Sequence, residues 1–216
     1  MTLVVATRNR DKMAEIAGFM DGTGWHLSAI DELCPVIELN EPGPDFRDNA
    51  RQKARDAFAA VHTWVLAEDS GLRVDALDGE PGVMSARWCG PDASDWERNR
   101  ALLERMIAVP DDKRTACFFC VACVVDPAGT EAFFEGFCSG RVSHHQRGTA
   151  GFGYDAVFIP DGYAQTFAEL GRQTKNRVSH RARVLSQVVD YLRRRTQPGA
   201  SYRLDSLPGW QGRTGV

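Results

Sequence analysis

The sequence predicts an α/β protein, because strand-like apolar runs alternate with segments of helical periodicity. Residues 3–6 form a short apolar run, and an amphipathic helix with Met13, Ile16 and Met20 on one face follows it. The 216 residues suffice for one large domain or two small lobes that share a core. We expect a single α/β domain over residues 1–196 and a loosely ordered or surface-packed extension over residues 197–216.

The composition argues against several classes of protein. A net charge of −3 gives no general attraction to nucleic acid. There is no apolar run long enough to span a membrane, and the apolar part of the N-terminus is too short for a signal peptide. The six cysteines are expected to be reduced thiols, so we predict a cytoplasmic protein with no nucleic-acid or membrane partner.

Three cysteines share one strand-like run at C-x-x-C spacing. In a strand, Cys117 and Cys123 face one side and Cys120 faces the other. Three thiolates so arranged cannot converge on one zinc ion, so we interpret them as core residues.

The loop after the first strand is a candidate anion site. Thr7 and Asn9 can donate side-chain hydrogen bonds, Lys12 adds a positive charge, and the first N–H groups of the following helix are free. No Walker loop is present. An ordinary capped helix explains the same residues.

The segment Trp64–Asp75 carries the second candidate site. An apolar run ends in Glu68 and Asp69, and Ser70 and a glycine precede a second alternating run. We interpret this pattern as a buried strand, a tight turn and another strand, with one acid aimed into a site and the other bracing the turn. The alternative is a polar cap on a hairpin.

The strongest helical pattern covers Phe46–Val61. Asn49 and Lys53 lie off its apolar stripe, and a solvated face is the expected place for them. They matter for function only if that face meets the acids.

The sequence after residue 93 predicts a helix and then a β-hairpin. A capping box of Ser94 and Glu97 begins the helix, whose buried face should include Ile107. The runs Cys117–Val125 and Glu131–Cys138 form the antiparallel pair.

A glycine-rich loop follows, in which Phe152 and Tyr154 offer flat faces for stacking. A last helix is predicted from about residue 176 to residue 195. Lys175, His180 and Arg181 lie at its start, where cations are unusual, which indicates an electron-rich ligand. A surface histidine is the alternative explanation for His180.

In these motifs the chain resembles the inosine/xanthosine triphosphate pyrophosphatases. The matching blocks occur in the family's order and cover about residues 3–192: ATRNRDK (6–12), Glu41-Pro-Gly, Asp48-Asn-Ala with Lys53, EDSGLRVDAL (68–77), PGVMSARW (81–88), GFGYDAVFIP (151–160), TFAEL (166–170) and Lys175 with SHRARVL (179–185).

The resemblance implies an elongated, two-lobed α/β fold with a long twisted mixed sheet, flanking helices and a cleft. It implies a homodimer that hydrolyses dITP, ITP and XTP to the monophosphate and pyrophosphate with Mg²⁺. Asp69 would orient or deprotonate water, and Glu41, Asp69 and Glu68 are the metal candidates. The residues expected to bind substrate are Thr7, Arg8, Asn9, Arg10, Asp11, Lys12, Lys53, Ser70, Arg87, Phe152, Gly153, Tyr154, Asp155, Lys175, His180 and Arg181.

Four positions depart from the family pattern. Arg8 replaces the usual Gly, Glu68 the commoner Asp, Asp48 the commoner Glu and Ala156 the usual Pro. Which acid touches the metal is therefore open. A pyrophosphatase for pyrimidine or modified nucleotides and a nucleotide-binding regulator without turnover are the alternative functions.

Overall fold

The computed structural model describes residues 1–196, so the predicted extension lies outside the described residues. The strands are β1 (Thr2–Val5), β2 (His26–Ala29), β3 (Trp64–Val74), β4 (Thr115–Val125), β5 (Glu131–Val142) and β6 (Phe158–Pro160). The helices are α1 (Arg10–Met20), α2 (Ile30–Leu33), α3 (Phe46–Val61), α4 (Asp95–Arg105), α5 (Phe167–Val178) and α6 (His180–Thr196). Short 3₁₀ helices cover Asp75–Leu77, Gly82–Met84 and Asp111–Lys113.

The six strands form one mixed sheet in the order β2-β1-β3-β4-β5-β6. Strands β2, β1 and β3 run parallel, whereas β3 to β6 pair antiparallel, so the predicted hairpin of β4 and β5 is confirmed. Helices α1 and α6 cover one face of the sheet and α3 covers the other. This is the α/β architecture with a mixed sheet that the sequence predicted.

Strand β3 corrects the predicted turn. Residues 64–74 form one continuous strand, and Asp69 pairs with Val121 of β4 in its middle. Gly71 serves a close approach instead of a turn, because a Cβ there would lie 2.3 Å from the carbonyl oxygen of Gly82. The predicted turn was wrong because Gly71 is required for close packing against Gly82 and not for a reversal of the chain.

The predicted last helix corresponds to α6 but begins at His180, and a separate helix that was not predicted, α5, precedes it. A capping box of Thr166 and Glu169 begins α5, and Lys175 lies in its last turn instead of before a helix. Ser179 has extended backbone angles that end α5, and its hydroxyl accepts the N–H of Ala182 to cap α6. His180 and Arg181 therefore do open a helix, as predicted.

Two burial predictions differ from the structure. Ile107 lies beyond the end of α4 and is exposed, and Asn49 and Lys53 are buried against β3. The cysteine prediction is confirmed for Cys120, which packs on the α1 and α6 face, and for Cys123, which packs on the α3 face, whereas Cys117 is only half-buried. Within residues 1–196, no helix combines the length and apolar character that crossing a membrane requires.

Candidate active site

A cleft of about 750 Å³, solvent space included, crosses the sheet where Asp69 lies in β3. The predicted site residues that line it are Asn9, Lys12, Glu41, Asp69, Ser70, Phe152, Gly153, Tyr154, Asp155, Lys175, His180 and Arg181. Those that do not line it are Thr7, Arg8, Arg10, Asp11, Lys53, Glu68 and Arg87.

The loop before α1 brings a helix N-terminus to one end of the cleft. Asn9 caps the helix, with its Oδ1 accepting the N–H groups of Asp11 at 2.9 Å and Lys12 at 3.0 Å. Arg8 instead turns away and donates to the carbonyl of Ile37. Arg10 is exposed like Asp11. Asn9 thus occupies two of the first N–H groups, and the positive end of the helix dipole and the charge of Lys12 are what favour an anion at this end.

Asp69 lies on the α3 face of β3. Asn49 donates to its Oδ2 at 3.0 Å, and the Nζ of Lys53 lies 3.4 Å from its Oδ1. Burial raises the pKa of the Asp69 carboxyl, and this outweighs the opposing effect of Lys53. A carboxylate with a raised pKa that borders a cleft is a candidate general base.

Lys53 joins the two cleft acids. Its Nζ also donates to Oε1 of Glu41 at 2.6 Å and to the carbonyl of Glu68 at 2.8 Å. Burial opposes the charge of Lys53, but Asp69 and Glu41 raise its pKa. Arg87 holds Glu41 from the other side at 3.1 Å, so in this structure Arg87 positions an acid rather than bordering the cleft.

Glu68 points to the opposite face of the sheet from Asp69, as alternation in a strand requires. Its carboxylate lies 2.9 Å from Nζ of Lys12 and 3.2 Å from Nη2 of Arg181, and it accepts the thiol of Cys120 at 3.0 Å. Although burial acts in the other direction, Arg181 and Lys12 hold the pKa of Glu68 well below its usual range. Both oxygens of Glu68 are therefore already occupied by cations and a thiol.

The other end of the cleft is built by the glycine-rich loop. The hydroxyl of Tyr154 donates to the carbonyl of Ser85 at 3.1 Å, and Asp95 accepts the N–H of Gly153 at 2.6 Å. Phe152 lies over the Lys175 ammonium, 4.3 Å from ring centre to nitrogen. The loop thus presents a fixed backbone and one aromatic face.

Lys175 and Arg181 are tied together by Glu15. Its carboxylate lies 2.8 Å from Nζ of Lys175 and 2.6 Å from Nη1 of Arg181, and Asp155 binds Lys175 at 2.5 Å. All four side chains are buried. Arg181 also donates to the hydroxyl of Ser70 at 2.9 Å, which brings a hydrogen-bonding group of β3 into the same network.

His180 is buried and neutral rather than a surface histidine. Its ring stacks on Phe118 with 4.6 Å between ring centres, and its Nδ1 has no hydrogen-bond partner among the described residues. Burial lowers the pKa of its imidazole well below the usual range, and Arg181 and Lys175 lower it further.

The low pKa of His180 predicts a pH effect on stability. The unfolded imidazole binds a proton below about pH 6.5, whereas the folded one does not, so this residue costs stability as the pH falls below that value. Between pH 7 and pH 5, the free energy of unfolding of wild type should depend on pH more steeply than that of His180→Asn, by up to about 1.4 kcal/mol per pH unit. Chemical unfolding at several pH values measures both slopes. The exposed His26→Asn is the control, and an unchanged slope in His180→Asn would contradict the prediction.

The cleft acids could hold a divalent cation only together with the phosphates of a substrate and water. No group of three metal-binding side chains occurs within residues 1–196. Glu41 and Asp69 both contact one lysine, and Mg²⁺ is commonly held by one or two carboxylates together with substrate phosphates and water. These two residues fit that arrangement, whereas Glu68 faces away from it.

Sequence reasoning missed several residues that shape the cleft. Glu15 and Asn49 were not assigned, although each binds a predicted site residue. Ser85 and Asp95 hold the glycine-rich loop from distant segments. The available signal for Asn49 was its spacing of four residues from Lys53 on the same side of α3, and no local signal marked the others.

Comparison with known proteins places these residues in a known family. Residues 3–191 match the Ham1 family. A protein of Geobacter sulfurreducens named dITP/XTP pyrophosphatase is 41% identical over 97% of this chain and 98% of its own length. One of the same name from Opitutus terrae is 48% identical over 90% of this chain and 100% of its own length. The structure of a HAM1 protein from Coxiella burnetii superposes with a TM-score of 0.81 at 34% identity, covering 89% of this chain and 98% of that one.

Proposed function

The chain belongs to the Ham1 family, and on that premise we propose that it hydrolyses dITP, ITP and XTP to the monophosphate and pyrophosphate. It is a nucleoside triphosphate pyrophosphatase, a hydrolase of phosphoric anhydrides. The observation that carries the proposal for the site is Asp69, a buried carboxylate of raised pKa on the cleft wall, with Lys53 beside it.

Asp69 is the proposed base. Hydrolysis at the α-phosphorus requires an oriented water molecule and a group that accepts its proton. Asp69 lies on a rigid strand, and Asn49 fixes its Oδ2, so Oδ1 is the oxygen that can hold the water. The ammonium of Lys53 lies beside both carboxylates, so it partly offsets the repulsion between their charges and the triphosphate.

A divalent cation is the general requirement of such enzymes, and we propose Mg²⁺ on Glu41 and Asp69. When bound, the ion neutralises charge on the triphosphate. The chain's own contribution is to hold the two carboxylates, which Lys53 and Arg87 do from opposite sides of Glu41.

The phosphates are proposed to lie at the N-terminus of α1. Lys12 borders the cleft there, and the positive end of the helix dipole favours an anion. Thr7 supports the loop, since its Oγ1 accepts the N–H of Asn9 at 3.2 Å. Pyrophosphate leaves more readily when cations hold it.

The base is proposed to lie against the end of the cleft that Phe152, Lys175 and Arg181 line. Hypoxanthine and xanthine carry an acceptor oxygen where adenine carries an amine. Lys175 and Arg181 present donors at this end of the cleft, so an adenine amine would face a donor and remain unpaired. His180, held neutral, contributes a ring nitrogen without adding charge.

The family resemblance also supports a homodimer and a cytoplasmic location, which we include in the proposal. The division into one domain over residues 1–196 and an extension belongs to it as well.

A nucleotide panel tests the proposed function. With Mg²⁺, the full chain should release pyrophosphate from ITP, dITP and XTP with kcat/KM about 5- to 150-fold above that for ATP, since an unpaired buried group costs about 1–3 kcal/mol. Product analysis should give one monophosphate per pyrophosphate. Release of single phosphate with a diphosphate, or equal rates on dTTP and UTP, would exclude the proposed function.

A further inference from the structure

A second cavity lies outside the cleft and shares no lining residue with it. It forms between the end of β5, the loop of residues 143–147 and the 3₁₀ helix Asp111–Lys113. Three arginines and two histidines line it, together with one acid: Arg114, Arg141, Arg147, His144, His145 and Asp111. The lining is thus positively charged even with neutral histidines, although the whole chain carries a net charge of −3.

Arg114 is the unusual member of this lining. It is 3% exposed, and its guanidinium donates to the carbonyls of Val142 at 2.9 Å, Met106 at 2.7 Å and Ser143 at 2.8 Å. Within residues 1–196, no carboxylate lies within 4.0 Å of it. Carbonyl dipoles solvate the guanidinium but do not cancel its charge, and buried charges are normally paired.

The other two arginines of the lining, Arg141 and Arg147, contact backbone carbonyls. Arg141 is exposed, and its Nη2 only reaches the carbonyl of Tyr163 at 3.5 Å. Arg147 donates to the carbonyl of Ala164 at 3.0 Å and lies 3.5 Å from Glu169, outside the cavity lining. The one acid of the lining, Asp111, lies 2.6 Å from Nε2 of His144, and against three arginines it still leaves the lining with a net positive charge.

We propose that this cavity binds a phosphate-bearing anion, with the Arg114 charge at its base and Arg141 and Arg147 as donors to the oxygens. Guanidinium groups recognise phosphate oxygens with charge-assisted hydrogen bonds, and an anion supplies the countercharge that Arg114 lacks. The inference does not depend on the proposed function, because it concerns a different cavity and is tested by binding.

Imidazole signals in NMR spectra separate the two sites on the full chain. His144 and His145 report on the second cavity, whereas His180 reports on the cleft. Titration with inorganic phosphate should shift the His144 and His145 signals in a saturable manner. Parallel titrations with pyrophosphate and with a nucleoside monophosphate distinguish an inorganic ligand from a nucleotide.

Variants of exposed residues test the assignment without risk to the fold. Arg141→Gln should weaken phosphate binding at these two histidines roughly tenfold, the loss of one charge-assisted contact. Arg177→Gln, the same change at an exposed position of α5, should bind as wild type. The proposal is wrong if phosphate shifts only His180, or if Arg141→Gln binds with unchanged affinity. It is also wrong if the two signals respond to protein dilution and not to phosphate, because a second copy of the chain then supplies the countercharge.

Discussion

Replacing Asp69 with asparagine is expected to lower kcat for ITP by roughly 100- to 10,000-fold while the protein stays folded. The amide has the shape of the carboxylate, and its one oxygen can still accept from Asn49, but its nitrogen then faces Lys53 and it cannot accept a proton from water. Removing the buried negative charge also leaves Lys53 with Glu41 as its remaining side-chain partner. Steady-state kinetics with ITP at saturating Mg²⁺ measure the loss.

The pH profile separates loss of a base from loss of structure. Burial raises the pKa of Asp69, so wild-type kcat/KM should fall as the pH drops through that raised value, and this acid limb should be absent from the residual activity of Asp69→Asn. Asp75→Asn, at an exposed acid just after the same strand, should keep wild-type kinetics. A kcat for Asp69→Asn within tenfold of wild type would remove Asp69 as the base.

Much of the fold followed from local patterns. The bounds of α3 and the capping box of α4 were predictable, because apolar periodicity and capping hydrogen bonds act within a few residues. Local patterns did not predict that β3 is one continuous strand. Whether Ser70 and Gly71 form a turn depends on the segment around Gly82, which packs on Gly71 and is fixed only by the tertiary structure.

The site shows the same limit. The alternation of Glu68 and Asp69 was predictable from strand geometry, but the partner of each acid was not, because α3 and α6 come from opposite ends of the chain. Lys53 lay off the apolar stripe of α3, and only the packing of that helix on β3 shows that its ammonium is buried between two acids. Glu15 was missed for the same reason, since both of its cations come from the C-terminal helices.

Changing Glu68 to glutamine is expected to lower stability, whereas changing Glu41 to glutamine is expected to alter the Mg²⁺ requirement. Glu68 is the buried countercharge of Lys12 and Arg181, so Glu68→Gln should lower the free energy of unfolding by about 3 kcal/mol, the lower end for breaking a buried pair, because Arg181 retains Glu15. The wild-type contribution is present above about pH 4.5 and is lost as the pH falls toward the depressed pKa of folded Glu68, so the difference between the two proteins should shrink in acid.

The Mg²⁺ requirement for activity should distinguish Glu41→Gln from Glu68→Gln. Glu41 is partly exposed and borders the cleft, so Glu41→Gln should change stability little but should require a higher Mg²⁺ concentration for half-maximal activity. Glu68→Gln should keep the wild-type Mg²⁺ requirement in whatever activity remains, measured well below its unfolding temperature. If Glu68→Gln instead shifts the Mg²⁺ requirement and leaves the unfolding free energy unchanged, Glu68 is a metal ligand, and its contacts with Lys12 and Arg181 must be exchanged for the metal when substrate binds.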